Sequence, residues 1–337
     1  MKIIIPMAGM GKRMRPHTLT IPKPLLRIAG KPIIHRLVED IVEACSETVD
    51  EIAFIIGDFG KEIEENLISI ALQMGIKGCI YHQDKPMGTA HAVLCASDSL
   101  KGNVVVAFAD TLFKASFKID TSKDGIIWTH RVEDPTAFGV VRTDENETIT
   151  GFYEKPKEFI SNQAIIGIYY FNDGVFLKNE LQYLVDNKLS KNGEYQLTDA
   201  LQNMMDKGCA FKTGEVDEWL DCGNKDATVY TNQRILEHSK NKELIDKTAN
   251  IKNSVIIPPC FIGEYAVIEN SIVGPYVSLG EHTKMKHCIV SNSIIETNTI
   301  ISNSNIDNSM IGNFVEYRGD VDDVSIGDYT LIFRSPE

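Results

Sequence analysis

From residue 251 onward, small apolar residues recur about every six positions: Ile251, Ile256, Ile262, Ile268, Val273, Leu279 and Met285. Several precede a glycine, as in Ile262-Gly263, Val273-Gly274, Leu279-Gly280, Ile311-Gly312 and Ile326-Gly327. The stretch is rich in Asn and Ser and nearly free of helical pattern. A turn this short cannot bury its apolar face alone. It must stack on its neighbours, which predicts a β-helix solenoid. The period drifts between five and six residues, and a β-sandwich is the competing architecture.

The residues before the repeat obey a different rule. Continuous apolar strands are expected at 2–5, 52–56, 79–82 and 104–109. Helical spacing of apolar residues lies between them, near 33–45, 61–74 and 89–97. Strands buried on both faces and alternating with helices predict a doubly wound α/β sheet. Shorter strands follow at 125–131, 138–142, 148–154 and 164–171, then helices near 173–187 and 197–206. This is expected to be a substrate-binding half on the same sheet, with a closing helix over 225–240. The expected domains are therefore 1–240 and 248–334.

Composition narrows the function. The 337 residues carry a formal net charge of -13. An acidic surface repels nucleic acid and anionic membrane, so neither is an expected partner. The seven cysteines are scattered and never form a C-x-x-C pair, which argues against a disulfide framework or a zinc site. No apolar run reaches the length of a membrane span, and the first residues do not read as a signal peptide, so the expected location is the cytoplasm.

The chemistry is concentrated in Met7-Ala8-Gly9-Met10-Gly11-Lys12-Arg13-Met14-Arg15-Pro16 and the following Pro22-Lys23-Pro24-Leu25. Two glycines in a loop leaving a first strand let backbone N–H groups approach phosphates. The dinucleotide fingerprint wants a third glycine where Met14 stands, and the P-loop wants Ser or Thr where Arg13 stands. What distinguishes this loop is its cations. The bland alternative is a solvated basic turn, and Lys12 and Arg15 could both face solvent.

These segments resemble the signature G-x-G-x-R-[LM]-x-P followed by P-K-P-L of the nucleoside-diphosphate-sugar pyrophosphorylases, or sugar-phosphate nucleotidylyltransferases. The resemblance runs to about residue 240 in the order of its motifs. It is strongest to the glucose-1-phosphate thymidylyltransferase group. It implies a Rossmann-like, doubly wound mixed sheet followed by a left-handed parallel β-helix. It implies a reaction between a sugar 1-phosphate and dTTP or UTP, with Mg²⁺ as cofactor. The flat flanks and open end of a β-helix invite packing, so a homo-oligomer is expected. By resemblance, Ala8, Gly9, Gly11, Lys12 and Arg13 bind the nucleotide. Arg13 holds the triphosphate and the departing pyrophosphate, and Lys23 reaches the reacting phosphates. Cations are needed because two unit charges ~4 Å apart at an effective dielectric of ~20 repel by roughly 4 kcal/mol.

Gln83, Gly88 and Thr89, in Gln83-Asp84-Lys85-Pro86-Met87-Gly88-Thr89-Ala90-His91-Ala92, are implied to contact the base. A glutamine amide can donate to and accept from a pyrimidine edge as a pair. Gly-Thr-Ala-His-Ala leans toward a uridylyl branch, so the base stays open between thymine and uracil. His91 is either a packing residue or a catalytic one. Asp110, after the apolar run 104–109, and Asp221, in Trp219-Leu220-Asp221-Cys222-Gly223, are the implied metal ligands, and Asp110 also counts among the nucleotide contacts. Each alone would more often be a helix cap or surface charge.

Sugar recognition is implied for Gly139, Glu154, Lys155, Gly167, Thr198 and Trp219. Glu154-Lys155-Pro156 alone would be a plain turn, Thr198 could begin a helix, and Trp219 could be core. Two other functions remain: a regulatory relative that keeps the fold without turnover, and a hexapeptide acyltransferase using His282 or His287.

Overall fold

A computed structural model describes residues 1–9 and 11–320. Met10 of the glycine loop, Ile326-Gly327 and the end of the expected 248–334 domain lie outside the described residues. The chain divides into two compact units, the first spanning Met1–Arg234 and the second starting at Ile235.

In the first unit, β1 (Lys2–Pro6) leads through a hairpin, β2 (Arg27–Ile28) and β3 (Lys31–Pro32), into α1 (Ile33–Ala44). Then come β4 (Glu51–Ile56), α2 (Lys61–Gln73), β5 (Lys77–His82), α3 (Thr89–Cys95), β6 (Val104–Ala107) and β7 (Thr111–Lys114). The strands β8 (Gly125–Arg131), β9 (Gly139–Thr143), β10 (Ile149–Glu154) and β11 (Gln163–Phe171) follow. The unit closes with α4 (Gly174–Asp186), α5 (Leu197–Asp206), β12 (Phe211–Glu215), β13 (Glu218–Asp221) and the first part of α6 (Lys225–His238).

Nine strands form one mixed sheet, in the order β10-β9-β11-β6-β1-β4-β5, with β8 beside β11 and β12 beside β8. The central strands β6, β1, β4 and β5 are parallel, and β11 runs antiparallel to β6. Ile3, Ile4 and Ile5 of β1 and Val104, Val105 and Val106 of β6 have no exposed surface. Each such aliphatic side chain contributes roughly 1.5–3 kcal/mol by leaving water. α1 covers the sheet with Ile33, Ile34, Leu37, Val38 and Ile41, all buried. α4 is capped by Asp173, whose carboxylate accepts from the N–H groups of Val175 and Phe176.

One topological fact positions the site. From β1 the chain winds outward through β4 and β5, then crosses back to place β6 on the other flank of β1. The carboxyl ends of β1 and β6 therefore frame the crevice where strand order reverses. The glycine loop leaves β1 there, and Asp110 follows β6 there.

The expected run 104–109 is shorter than anticipated. β6 stops at Ala107, the Phe108 N–H donates to Gly167 O at 2.9 Å, and the chain turns into β7. β7 pairs with β13 as a separate antiparallel ribbon that the apolar pattern does not announce.

The second unit is a parallel β-helix. Among the described residues three parallel ladders run through it, represented by Asn250↔Val267↔Lys284↔Ile300↔Glu316, Val255↔Ile272↔Ile289↔Asn305 and Phe261↔Ser278↔Ile294↔Met310. All-parallel pairing excludes the antiparallel sandwich. Ile262, Ile268, Val273, Leu279, Met285, Val290, Ile295 and Ile301 fill its interior, so the hexapeptide period is the spacing of inward-facing side chains. Asn253, Asn270, Asn292, Asn298, Asn303 and Asn308 sit at corners with φ between +38° and +57°. Asn tolerates this left-handed backbone better than most residues, which accounts for the Asn-rich composition. No helix among the described residues is long and apolar enough to cross a membrane.

Candidate active site

Two cavities open at the crevice. The first, about 450 Å³, is lined by the β1 loop (Ala8, Gly9, Gly11, Lys12, Arg13), Lys23, Gln83, Gly88, Thr89 and Asp110. The second, about 430 Å³, is lined by Gly139, Glu154, Gly167, Thr198, Trp219 and Asp221. Arg13, Thr89, Phe108 and Asp110 line both, so the cavities adjoin along these four residues.

The loop cations divide by environment. Lys23 is buried, its side chain only 8% exposed, and Nζ donates to Asp110 Oδ2 at 3.2 Å. Arg13 and Lys12 are exposed on a single 3-10 turn, Lys12–Met14, while Met14 is buried and anchors it. Gly11 precedes that turn at φ +57°, and a Cβ there would stand 2.9 Å from Lys23 Cβ. Glycine is needed at this point for the loop to pass so close to Lys23. Arg15, the other loop cation, is exposed and outside both linings.

The β7–β13 ribbon brings the two aspartates together. Thr111 pairs with Asp221, and the Cys222 N–H donates to Asp110 O at 3.1 Å. Asp221 Oδ1 accepts from the Gly223 N–H at 2.9 Å. Burial pushes the Asp221 carboxyl above its ordinary range. The attraction of Lys23 opposes that shift and the repulsion of Asp110 adds to it. Behind it, burial pushes the Cys222 thiol up to about 12. Among the described residues no group of three or more His, Cys, Asp or Glu forms a metal cage.

The walls of the second cavity are built from both halves of the sheet. Gly139 begins β9 and Glu154 ends β10, where the two strands pair at that register. Thr198 is the second residue of α5 rather than its cap, and its Oγ1 donates to Glu154 Oε2 at 3.3 Å. Burial raises the Glu154 carboxyl, opposed by Lys155 and the Thr198 hydrogen bond. Trp219 meets Phe138 edge-on at 5.1 Å, and its indole N–H is buried without a partner.

Two of the expected site residues are placed differently from the rest. Lys155 follows β10 at φ +43°, is exposed, and lies outside the linings of both cavities. Its ammonium approaches Glu154 Oε1 at 3.9 Å instead. Gln83 lines the first cavity, with its amide nitrogen engaged within the protein. Nε2 donates to Gly88 O at 3.2 Å and lies 3.1 Å from His91 Nδ1. Glu194 in the first cavity and Asn224 in the second were not anticipated as lining residues. Glu194 lies four residues before Thr198, and only the fold assigns it to the first cavity. His282 and His287 occupy corners of the β-helix, where His282 stacks on Tyr265 and His287 Nε2 lies 3.1 Å from Asn270 Nδ2.

Comparison with known proteins gives a consistent result. The nucleotidyl transferase family matches residues 2–238, and the GlmU-like C-terminal hexapeptide family matches residues 240–292. The low-salt glycan biosynthesis nucleotidyltransferase Agl11 of Haloferax volcanii is 33% identical over 252 residues, covering 72% of this chain and 68% of that protein. A glucose-1-phosphate thymidylyltransferase of Streptomyces antibioticus is 28% identical over 287 residues, 78% of each chain. Among solved structures, a UDP-glucose pyrophosphorylase complexed with UDP-glucose aligns with a TM-score of 0.59 at 25% identity, over 70% of this chain and 98% of that one.

Proposed function

The chain belongs to the nucleotidyl transferase family, and on that premise we propose that it joins a sugar 1-phosphate to dTTP or UTP, releasing pyrophosphate. Glucose 1-phosphate with dTTP is the favoured pair, and a UTP-dependent reaction is the alternative. The observation that carries the reading is the pair of adjoining cavities that share Arg13 and Asp110, with Lys23 ion-paired to Asp110. Each cavity suits one anionic substrate, and the shared edge suits the reacting phosphates.

In this reading the nucleotide occupies the first cavity. Backbone groups of Ala8, Gly9 and Gly11, with Lys12, cradle its phosphates, and Gln83, Gly88 and Thr89 border its base. The sugar occupies the second cavity against Gly139, Gly167, Thr198 and Trp219. A sugar-phosphate oxygen forms a bond to the α-phosphorus, and the bond to the bridging oxygen of pyrophosphate breaks. The attacking oxygen is already anionic, so no serine or cysteine nucleophile is required. Arg13 offsets the charge of the triphosphate and then of departing pyrophosphate, and Lys23 offsets charge at the reacting phosphate.

Asp110 and Asp221 are hard oxygen donors crowded by mutual repulsion, a set that fits Mg²⁺ completed by substrate oxygens and water. When bound, such an ion would neutralise phosphate charge. The test is pyrophosphate release with Mg²⁺ across a grid of nucleoside triphosphates and sugar 1-phosphates. Release confined to dTTP or UTP with one sugar phosphate is expected. Silence across the grid from folded protein would end the proposal.

Glu154 gives a second prediction. Its raised carboxyl pKa means that the contribution to stability is complete below the ordinary carboxylate pKa and is lost as pH rises through the raised value. The buried, ionised carboxylate therefore costs folding stability, and sugar hydroxyls would donate to it. Glu154→Gln is expected to raise the thermal midpoint at pH 7 and to raise the sugar-phosphate KM about tenfold. A lowered midpoint with unchanged KM would remove Glu154 from the sugar site.

A further inference from the structure

His91 sits on α3, one face of which is buried through Ala90, Ala92 and Val93, and its own ring is half-buried. Its Nδ1 lies 3.1 Å from Gln83 Nε2, and the same Nε2 donates to Gly88 O at 3.2 Å. A primary amide has two N–H hydrogens on one end and two lone pairs on the other. Gly88 O can only accept, so the end of the amide that faces it must be the nitrogen. Burial lowers the His91 pKa, favouring the neutral ring. With Nε2 carrying the ring proton, Nδ1 accepts the second amide hydrogen.

Both donors of Gln83 are then spent inside the protein. Its Oε1 has no partner among the described residues and is not among the buried unpaired atoms, while Gln83 lines the first cavity. We propose that His91 is a positioning residue that locks the Gln83 amide so that it offers the nucleobase an acceptor only. Such a wall favours bases whose ring nitrogen carries hydrogen beside a carbonyl, as in uracil, thymine and guanine. It disfavours cytosine, whose ring N3 presents a lone pair to Oε1. This inference rests on reading the first cavity as the nucleotide site. It assigns base selection partly to a residue two positions beyond Thr89 that does not line the cavity.

The experiment is equilibrium binding of UTP and CTP, with Mg²⁺, to the full chain and to two variants, followed by turnover with each. The native protein is expected to bind UTP at least ~10-fold more tightly than CTP. In His91→Leu only the Gly88 carbonyl still holds the amide, so the amide can turn over, at the cost of that one hydrogen bond, and present an N–H to the cytosine N3. CTP should then bind more tightly than in the native protein, and the UTP:CTP ratio should fall about fivefold or more. His91→Gln keeps an acceptor within reach and should restore the native ratio. A gain in CTP binding is a result that simple loss of packing cannot produce. Equal weakening of both nucleotides in His91→Leu, an unchanged ratio, or no preference in the native protein would overturn the inference. Selective binding without turnover would retain it and sink the transferase reading, whereas turnover with an unshifted ratio would do the reverse.

Discussion

Asp110→Asn is expected to lower turnover about a thousandfold, a loss of roughly 4 kcal/mol of transition-state stabilisation. The carboxylate lines both cavities and is held beside Asp221 by the β7–β13 ribbon. Asparagine keeps the size of the side chain and one oxygen, so Lys23 retains an acceptor. What disappears is a negative charge at the shared edge of the cavities, where a dication and two phosphates would meet. The Asp110 side chain is 45% exposed, so the fold gives up little core. The thermal midpoint should therefore stay within a few degrees. Pyrophosphate release and a melting curve on the same preparation separate the two effects. Turnover within tenfold of the native rate would remove Asp110 from the proposed metal site.

Gly88→Ala should act through structure as well as binding. Gly88 has φ +98°, and a Cβ there would lie 2.4 Å from Tyr195 O and 2.6 Å from Tyr195 N. Those atoms are backbone and cannot swing away. They belong to a seam in which the Tyr195 N–H donates to Met87 O at 2.8 Å and the Ala90 N–H to Tyr195 O at 3.0 Å. The Leu197 N–H donates to Thr89 Oγ1 at 2.9 Å in the same seam. Opening the seam for a methyl group costs backbone strain and breaks hydrogen bonds, together about 3 kcal/mol or more. For a unit of this size that lowers the thermal midpoint by roughly 10 °C. Because the seam borders the first cavity, nucleotide binding should weaken with it. A midpoint unchanged within experimental error would show that the two segments can separate without cost.

Much of this arrangement is legible in the amino-acid order, for definable reasons. β1, β4 and β6 are buried on both faces and read as unbroken apolar runs. α5 begins at Leu197, where helical spacing begins. The solenoid declares itself because each inward residue repeats at the spacing of a coil. Strands β7 and β13 are harder to see. Each is four residues long, lies far from the other in the chain, and gains its identity only from pairing. Yet that ribbon aligns Asp110 with Asp221. Lys155 illustrates the opposite limit. Its place in a motif implied a part in sugar recognition, while nothing in the amino-acid order signals the positive φ and exposed position that leave it outside the cavity linings. The Gln83–His91 contact was also hidden, since residue types alone do not say which amide hydrogens a fold consumes.

The β-helix also shows how such a chain can change length over generations. Its coils do not all contain the same number of residues. Between Val273 and Ser278 lie Gly274, Pro275, Tyr276 and Val277, whereas between Val290 and Ile294 lie only Ser291, Asn292 and Ser293. All three ladders nevertheless stay in step, because the difference is absorbed in a corner. A codon gained or lost at that corner leaves every inward side chain facing inward. The same slip within a strand would turn the residues after it to the opposite face. Inherited length variation should therefore collect at corners, or arrive as whole coils, while the strand segments keep their count.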